Sequence, residues 1–215
     1  MDLFYRCRSL IKTVQRSQNL TGYVDLQRAK LGLSRRLVLD CRTRWNSTFA
    51  SLSSLLDHKQ AINNLFANKR QLILPAKQKE KLGGLELSSD EWTIVFHVIQ
   101  ILEPFYQTTQ LLSGSKYPTI GLCLFAVRNI REFLEADADD EASIVTSLKG
   151  FLLDSFNQYF NDQDDQFTLM KVMPFSSFGE YPLPRAFFLS GRSILQIITE
   201  LNLDTGRQSV DHLNK

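Results

Sequence analysis

Apolar residues return every three or four positions through most of residues 3–160, a period that one face of an α-helix satisfies and a half-buried strand does not. Leu3, Phe4, Cys7, Leu10, Ile11 and Val14 predict a helix over 2–17. Leu20, Val24, Leu26 and Leu31 predict a second over 20–31, with Gly32 placed to end it. From Trp45 to Ala67 the period resumes with Trp45, Phe49, Leu52, Leu56, Ile62, Leu65 and Phe66. Ser88-Ser89-Asp90-Glu91 offers hydroxyl caps and first-turn acids to a helix ending near Leu112, and Pro104 predicts a kink inside it. Pro118 opens another over 118–135, where its missing N–H costs least, and a further helix is expected over 141–160. A last one is expected over 190–202, after a weakly patterned stretch. Against these stand the short β-compatible run Leu37-Val38-Leu39 and a loop over 68–88 containing Pro75, Gly83 and Gly84. Six or seven helices against one or two strands make the chain mainly α.

Charge divides the sequence where hydropathy does not. Residues 1–81 hold 16 Lys+Arg against 5 Asp+Glu, a net +11, whereas residues 82–215 hold 9 against 18, a net −9. The first part is therefore suited to a polyanion and the second is not. The competing reading is a basic lobe that neutralises an acidic one in the same protein. No run of eighteen apolar residues is present, so no spanning helix and no membrane partner are expected. The first ten residues lack the apolar core and cleavage site of a signal peptide. Cys7, Cys41 and Cys123 are odd in number and widely spaced, which argues against a disulfide framework and for a reducing, intracellular compartment.

Complete catalytic sets are missing from the pattern. His58, His97 and His212 are far apart and fit surface or satisfied core positions. The acids over 135–141 and 162–165 lack the oxygen spacing and glycine of a calcium loop. Asp40 closes the apolar run 37–39, from which a metal-binding acid could project. An ion pair or cap beside Arg42 and Arg44 is the preferred reading, because no second acid shares that setting. No catalytic residue, metal ligand or cofactor is therefore expected.

Asp40-Cys41-Arg42-Thr43-Arg44-Trp45-Asn46-Ser47-Thr48 is different. Arg42 and Arg44 can hold phosphate through paired donors, and Trp45 gives a face on which an unpaired base can stack, worth about 1–3 kcal/mol per base. Asn46, Ser47 and Thr48 can cap the helix that follows. The alternative is that Trp45 is the first core residue of its helix and Arg44 pairs with Asp40. On local chemistry the two readings are equal. The basic residues upstream and the Lys-rich loop, with Lys69, Arg70, Lys77, Lys79 and Lys81, favour nucleic acid. The candidate contacts are Arg42, Arg44, Trp45, Asn46, Lys69 and Arg70.

The same stretch, with Leu52, Leu55, Leu56 and Ala61-Ile62 after it, resembles a signature of the hAT-superfamily transposases and the BED-type zinc-finger proteins derived from them. A second segment is similar to that family too: Trp92, Leu102, Pro104-Phe105, Thr108-Thr109, Leu112-Ser113-Gly114 and Tyr117-Pro118-Thr119-Ile120. The resemblance covers about residues 3–160. It implies an RNase H-like core interrupted by an all-helical insertion, with the Arg-Trp motif at the junction. It gives Trp45 the role of a base-stacking residue at a DNA hairpin, and Arg44 a supporting or backbone contact.

The family's first two catalytic aspartates and its Cys-x-x-His motif lie upstream of the segment matched, and its catalytic glutamate lies beyond the insertion. Asp40 matches an acid that is not one of the three. The BED zinc finger and the C-terminal dimerisation region have no match, which leaves homo-oligomerisation open. After residue 161 the likeness decays, and Val172-Met173-Pro174-Phe175 stands where an Asp-Pro-Arg-Phe-like motif would be. The chain thus looks like an internal piece of a transposase-like protein. Its expected parts are a core remnant with one or two strands over 1–44, a helical insertion over 45–160 and a degenerate segment over 161–215. The expectation for function is a nuclear, non-catalytic protein with residual DNA binding through its basic first part. A scaffold or inert remnant without nucleic-acid binding is the alternative.

Overall fold

A computed structural model describes residues 3–41, 45–114, 120–136 and 142–159. The described residues form eight helices: α1 (Leu3–Gln15), α2 (Gln18–Lys30), α3 (Trp45–Asp57), α4 (Lys59–Ala67), α5 (Ala76–Gly83), α6 (Ser89–Gly114), α7 (Ile120–Glu135) and α8 (Ser143–Tyr159). The fold divides into two compact units, residues 1–99 and 100–215. The helix expected over 190–202 lies outside the described residues.

In the first unit α1 packs on α2 and α3, and α4 packs on α2 and α3. The apolar stripe of α1 sends Cys7, Leu10, Ile11 and Val14 into a core with Leu20 and Val24 of α2, Leu52 and Leu55 of α3, and Ile62 and Leu65 of α4. Each such side chain contributes about 1.5–3 kcal/mol by leaving water. α2 ends as its glycine requires. Gly32 has φ 69°. Its N–H reaches Ala29 O at 3.3 Å while Leu33 N–H reaches Arg28 O at 3.0 Å, the paired bonds that close a helix through a left-handed residue. The period over 45–67 is broken once, at the buried His58 between α3 and α4. His58 Nδ1 lies 2.7 Å from Ser54 O, so its proton sits on that nitrogen and donates to the carbonyl.

Ser88 starts α6 as a reciprocal cap. Its Oγ accepts from Glu91 N–H at 3.2 Å, and Glu91 Oε2 accepts from Ser88 N–H at 2.8 Å. The helix then runs on through Pro104 to Gly114. In the second unit α7 packs against α8, with Cys123, Val127, Ile130 and Leu134 facing Leu148, Leu152 and Phe156 in one apolar cluster. Lys149 lies over Phe133, and Arg131 over Phe156. The order of these pairs makes the two helices antiparallel. The buried Lys149 donates from Nζ to Ala136 O at 2.9 Å, occupying a carbonyl at the end of α7.

Two expectations are corrected. Residues 37–39 are not a strand, and no strand occurs among the described residues, so the remnant of one or two strands is absent from them. A lone extended run has no partner to complete a ladder, and here side chains take the partner's place, as described below. Within the expected loop 68–88, residues 76–83 are helical. Ala-Lys-Gln-Lys-Glu-Lys is rich in good helix formers, and Pro75 is compatible with a helix start. With Leu82 the one buried residue of α5, no apolar period announced it.

Candidate nucleic-acid interface

The segment before the Arg-Trp motif is clamped from both sides. From α1, Gln15 Nε2 donates to Leu37 O at 2.9 Å and Arg8 donates to Asp40 O at 3.3 Å. From α3, Ser54 Oγ accepts from Val38 N–H at 3.0 Å, and Ser47 Oγ accepts from Cys41 N–H at 2.8 Å while donating to Cys41 O at 2.9 Å. Side chains thus bond several backbone groups of this segment without a second strand. Leu37 is buried, whereas Val38 and Leu39 are 40% and 37% exposed, so only one residue of the run anchors in the core.

Asp40 forms an ion pair with Arg8, Oδ2 to NH1 at 3.1 Å, where the carboxylate is 10% exposed. Its described partner is therefore on α1, ahead of the motif. This pair fixes the point at which the chain enters residues 42–44, and α3 begins at Trp45. Arg42 and Arg44 lie outside the described residues. Trp45 is the first residue of α3.

Asn46, Ser47 and Thr48 fall inside the first turn of α3, not ahead of it, so the capping role is not taken up. Ser47 instead holds Cys41. Asn46 is half-buried with its Oδ1 unpartnered, and Thr48 is buried with its Oγ1 unpartnered. Lys69, half-buried, donates to Glu86 Oε2 at 2.8 Å and lies 5.8 Å from the Phe66 ring centre. Arg70 is exposed, and its carbonyl accepts from Lys79 Nζ at 3.4 Å. The structure thus brings Lys69 and Arg70 together after α4, while Asn46 stands at the start of α3.

Pairing sorts the other basic residues of the first unit, which carries 16 Lys+Arg against 8 Asp+Glu, a net +8. Arg6 pairs with Glu91 and also donates to Glu86 O. Arg28 and Arg36 share Asp25, at 3.1 and 3.5 Å. Lys59 lies 5.8 Å from the Trp92 ring centre. The side chains of Lys12, Arg16, Lys77 and Lys81 make no ion pair or hydrogen bond among the described residues. The sequence places Lys77 and Lys81 in a Lys-rich loop with no link to Lys12 and Arg16, because α5 has no apolar signature. Once 76–83 is helical, Lys77 and Lys81 share a face and Lys79 is turned away from it. Among the described residues no group of three His, Cys, Asp or Glu side chains could hold a metal ion, and no helix is long and apolar enough to cross a membrane.

A family model for the ZBED1 RNase-like helical domain matches residues 1–101. These residues are a hAT-derived, ZBED-type helical domain. The match stops within two residues of the boundary between the two compact units, so this ZBED-type domain corresponds to a unit of the fold. The chain is also 23% identical over 130 residues to a Zea mays protein named "Putative AC transposase". That alignment covers 60% of this chain and 15% of the maize protein. No solved structure matches. The family description calls the domain helical, in accord with the helices of the first unit and with the missing strand at 37–39.

Proposed function

We propose that the ZBED-type domain binds DNA without cutting it, through Arg42, Arg44 and Trp45 at the start of α3, with Asn46, Lys69 and Arg70 as further contacts. The observation that carries this reading is the clamp on residues 37–41. Arg8, Gln15, Ser47 and Ser54 tie both edges of the segment that leads into the Arg-Trp motif, on a unit with net charge +8. A chain path held this way fixes where the chain enters the motif, which a loop used only as a connection does not need. Asp40 pairs with Arg8 through Oδ2, which supports a role in placing the segment. The name of the maize relative supports DNA as the partner, and the family supports the nucleus as the place. In this reading residues 1–44 are a remnant of the family's RNase H-like core, 45–160 its helical insertion and 161–215 a degenerate C-terminal segment.

The test is binding of the full chain to hairpin and single-stranded DNA across a salt series. Affinity is expected to fall steeply with salt as counterions return to the phosphates, and Trp45→Ala is expected to weaken binding about tenfold or more, the equivalent of a lost base stack. Binding that ignores salt, or that Trp45→Ala leaves unchanged, would overturn the reading. Undetectable binding favours a scaffold role, for which Arg6–Glu91, Arg8–Asp40 and Lys69–Glu86 already show basic residues serving the fold.

A further inference from the structure

A cleft of about 320 Å³ opens in the first unit between the second half of α1 and the first turns of α5. Lys12, Thr13, Arg16, Pro75, Lys77, Gln78 and Lys81 line it. Four of the seven are cations and none is an acid; Glu80, on the same helix, is not in the lining. The cations come as two pairs at helical i, i+4 spacing, Lys12 with Arg16 and Lys77 with Lys81. A like-charged pair at that spacing disfavours a helix by about as much as an opposite pair would favour it. Here two such pairs face one space, and nothing described neutralises them.

Two further features point to an oxygen-rich anion. Pro75 makes no side-chain capping bond, and the N–H groups of Gln78 and Lys79 both go to Pro75 O, at 2.9 and 3.0 Å. The Ala76 and Lys77 N–H groups, ahead of them, have no acceptor within the helix, so the positive end of α5 is uncapped where the cleft lies. Thr13, in the wall of the cleft, is 6% exposed, and its Oγ1 has no hydrogen-bond partner. A buried hydroxyl without a partner is unfavourable, and this one belongs to a residue that lines the cleft.

We infer that this cleft seats successive phosphodiesters of a DNA strand, held by Lys12, Arg16, Lys77 and Lys81 beside the start of α5. The inference rests on the DNA-binding reading and adds to it a second binding surface, away from the Arg-Trp motif in sequence. Four positive charges exceed what a single phosphate group of charge about −1.5 to −2 neutralises, so a run of phosphates suits the cleft better than one small anion.

The experiment measures DNA binding over a salt series for the full chain, for Lys12→Ala/Lys77→Ala, for Lys30→Ala/Arg35→Ala and for Trp45→Ala. Lys30 and Arg35 are exposed and outside the cleft, so that double variant loses the same charge elsewhere. Urea midpoints verify that each variant folds. The cleft variant is expected to reduce the slope of log affinity on log salt by about 0.7–0.9 for each phosphate it no longer neutralises, with the Lys30/Arg35 variant near the unaltered chain. Equal effects of the two doubles would overturn the cleft and leave the DNA reading intact, provided Trp45→Ala still weakens binding. A parallel titration with inorganic phosphate and tripolyphosphate distinguishes the source. If the chain binds these through Lys12 and Lys77 but binds no DNA, the DNA occupant is overturned along with the DNA reading. If it binds neither, both fall.

Discussion

Arg6 and Arg8 sit in the first half of α1, and Lys12 and Arg16 lie one and two turns beyond Arg8. The first two are committed to the fold: Arg6 to Glu91 and the Glu86 carbonyl, Arg8 to Asp40 and its carbonyl. The other two end in a cleft with Lys77 and Lys81, and no acid answers them. One helix and the residue just after it therefore carry cations that hold the protein together and cations that do not. Net charge identifies the class of partner, but only pairing shows which charges are available to it.

The largest expected effect removes what both halves share. Leu10 is fully buried between them, and Leu10→Ala should cost about 2–5 kcal/mol in urea unfolding, lowering DNA binding only through loss of folded protein. Next is Arg8→Ala, which leaves the Asp40 carboxylate and carbonyl without their donor. A loss of about 1–3 kcal/mol is expected from hydrogen bonds to a charged group that is largely out of water, with no reduction in the salt slope of binding at the cleft. A stability change within a few tenths of a kcal/mol would show that Arg8 belongs with the unpaired cations.

Lys77→Glu should move the two properties in opposite directions. It replaces a like-charged pair with an attractive Glu-to-Lys81 pair and puts an acid in the first turn of α5, so unfolding should become harder by about 0.3–1 kcal/mol while DNA affinity drops. If stability falls instead, the cation at 77 has a role in the fold.

The smallest effect belongs to the second unit. Burial pushes the Cys123 thiol above its ordinary pKa. The neutral thiol is then the form that the fold prefers, so its contribution is full below the unfolded-state value and is lost as pH rises toward the raised one. Cys123→Ala should remove that part of the alkaline loss of stability. In alkylation at pH 8 the exposed Cys41 should react well before the buried Cys7 and Cys123, as mass-mapped labelling would read out.

Legibility in the sequence followed hydrophobic period. α1, α2, α6, α7 and α8 were readable because each carries its own apolar stripe, and the starts and stops at Gly32 and Ser88 were readable because their chemistry is local. α5 was not, since it buries Leu82 alone and its helicity rests on propensity. The run 37–39 misled for the opposite reason. It has β-compatible side chains, yet a strand is a relation between two segments, and residues from α1 and α3 met its backbone first. The Arg-Trp motif could be read as a candidate contact from residue type alone, whereas the cleft could not.

By itself, the sequence determined that this chain is mainly helical and that its positive charge lies in residues 1–81. Each of these depends on spacing or composition along one stretch of chain. Tertiary structure decided that Asp40 belongs to Arg8, that Ser47 and Ser54 hold an extended segment in place of capping or facing solvent, and that Lys12 and Arg16 meet Lys77 and Lys81. Those outcomes bring together residues up to 69 positions apart along the chain, from Lys12 to Lys81. No local period encodes such a meeting, because it follows from how α1, α3 and α5 are placed by the core they share or border.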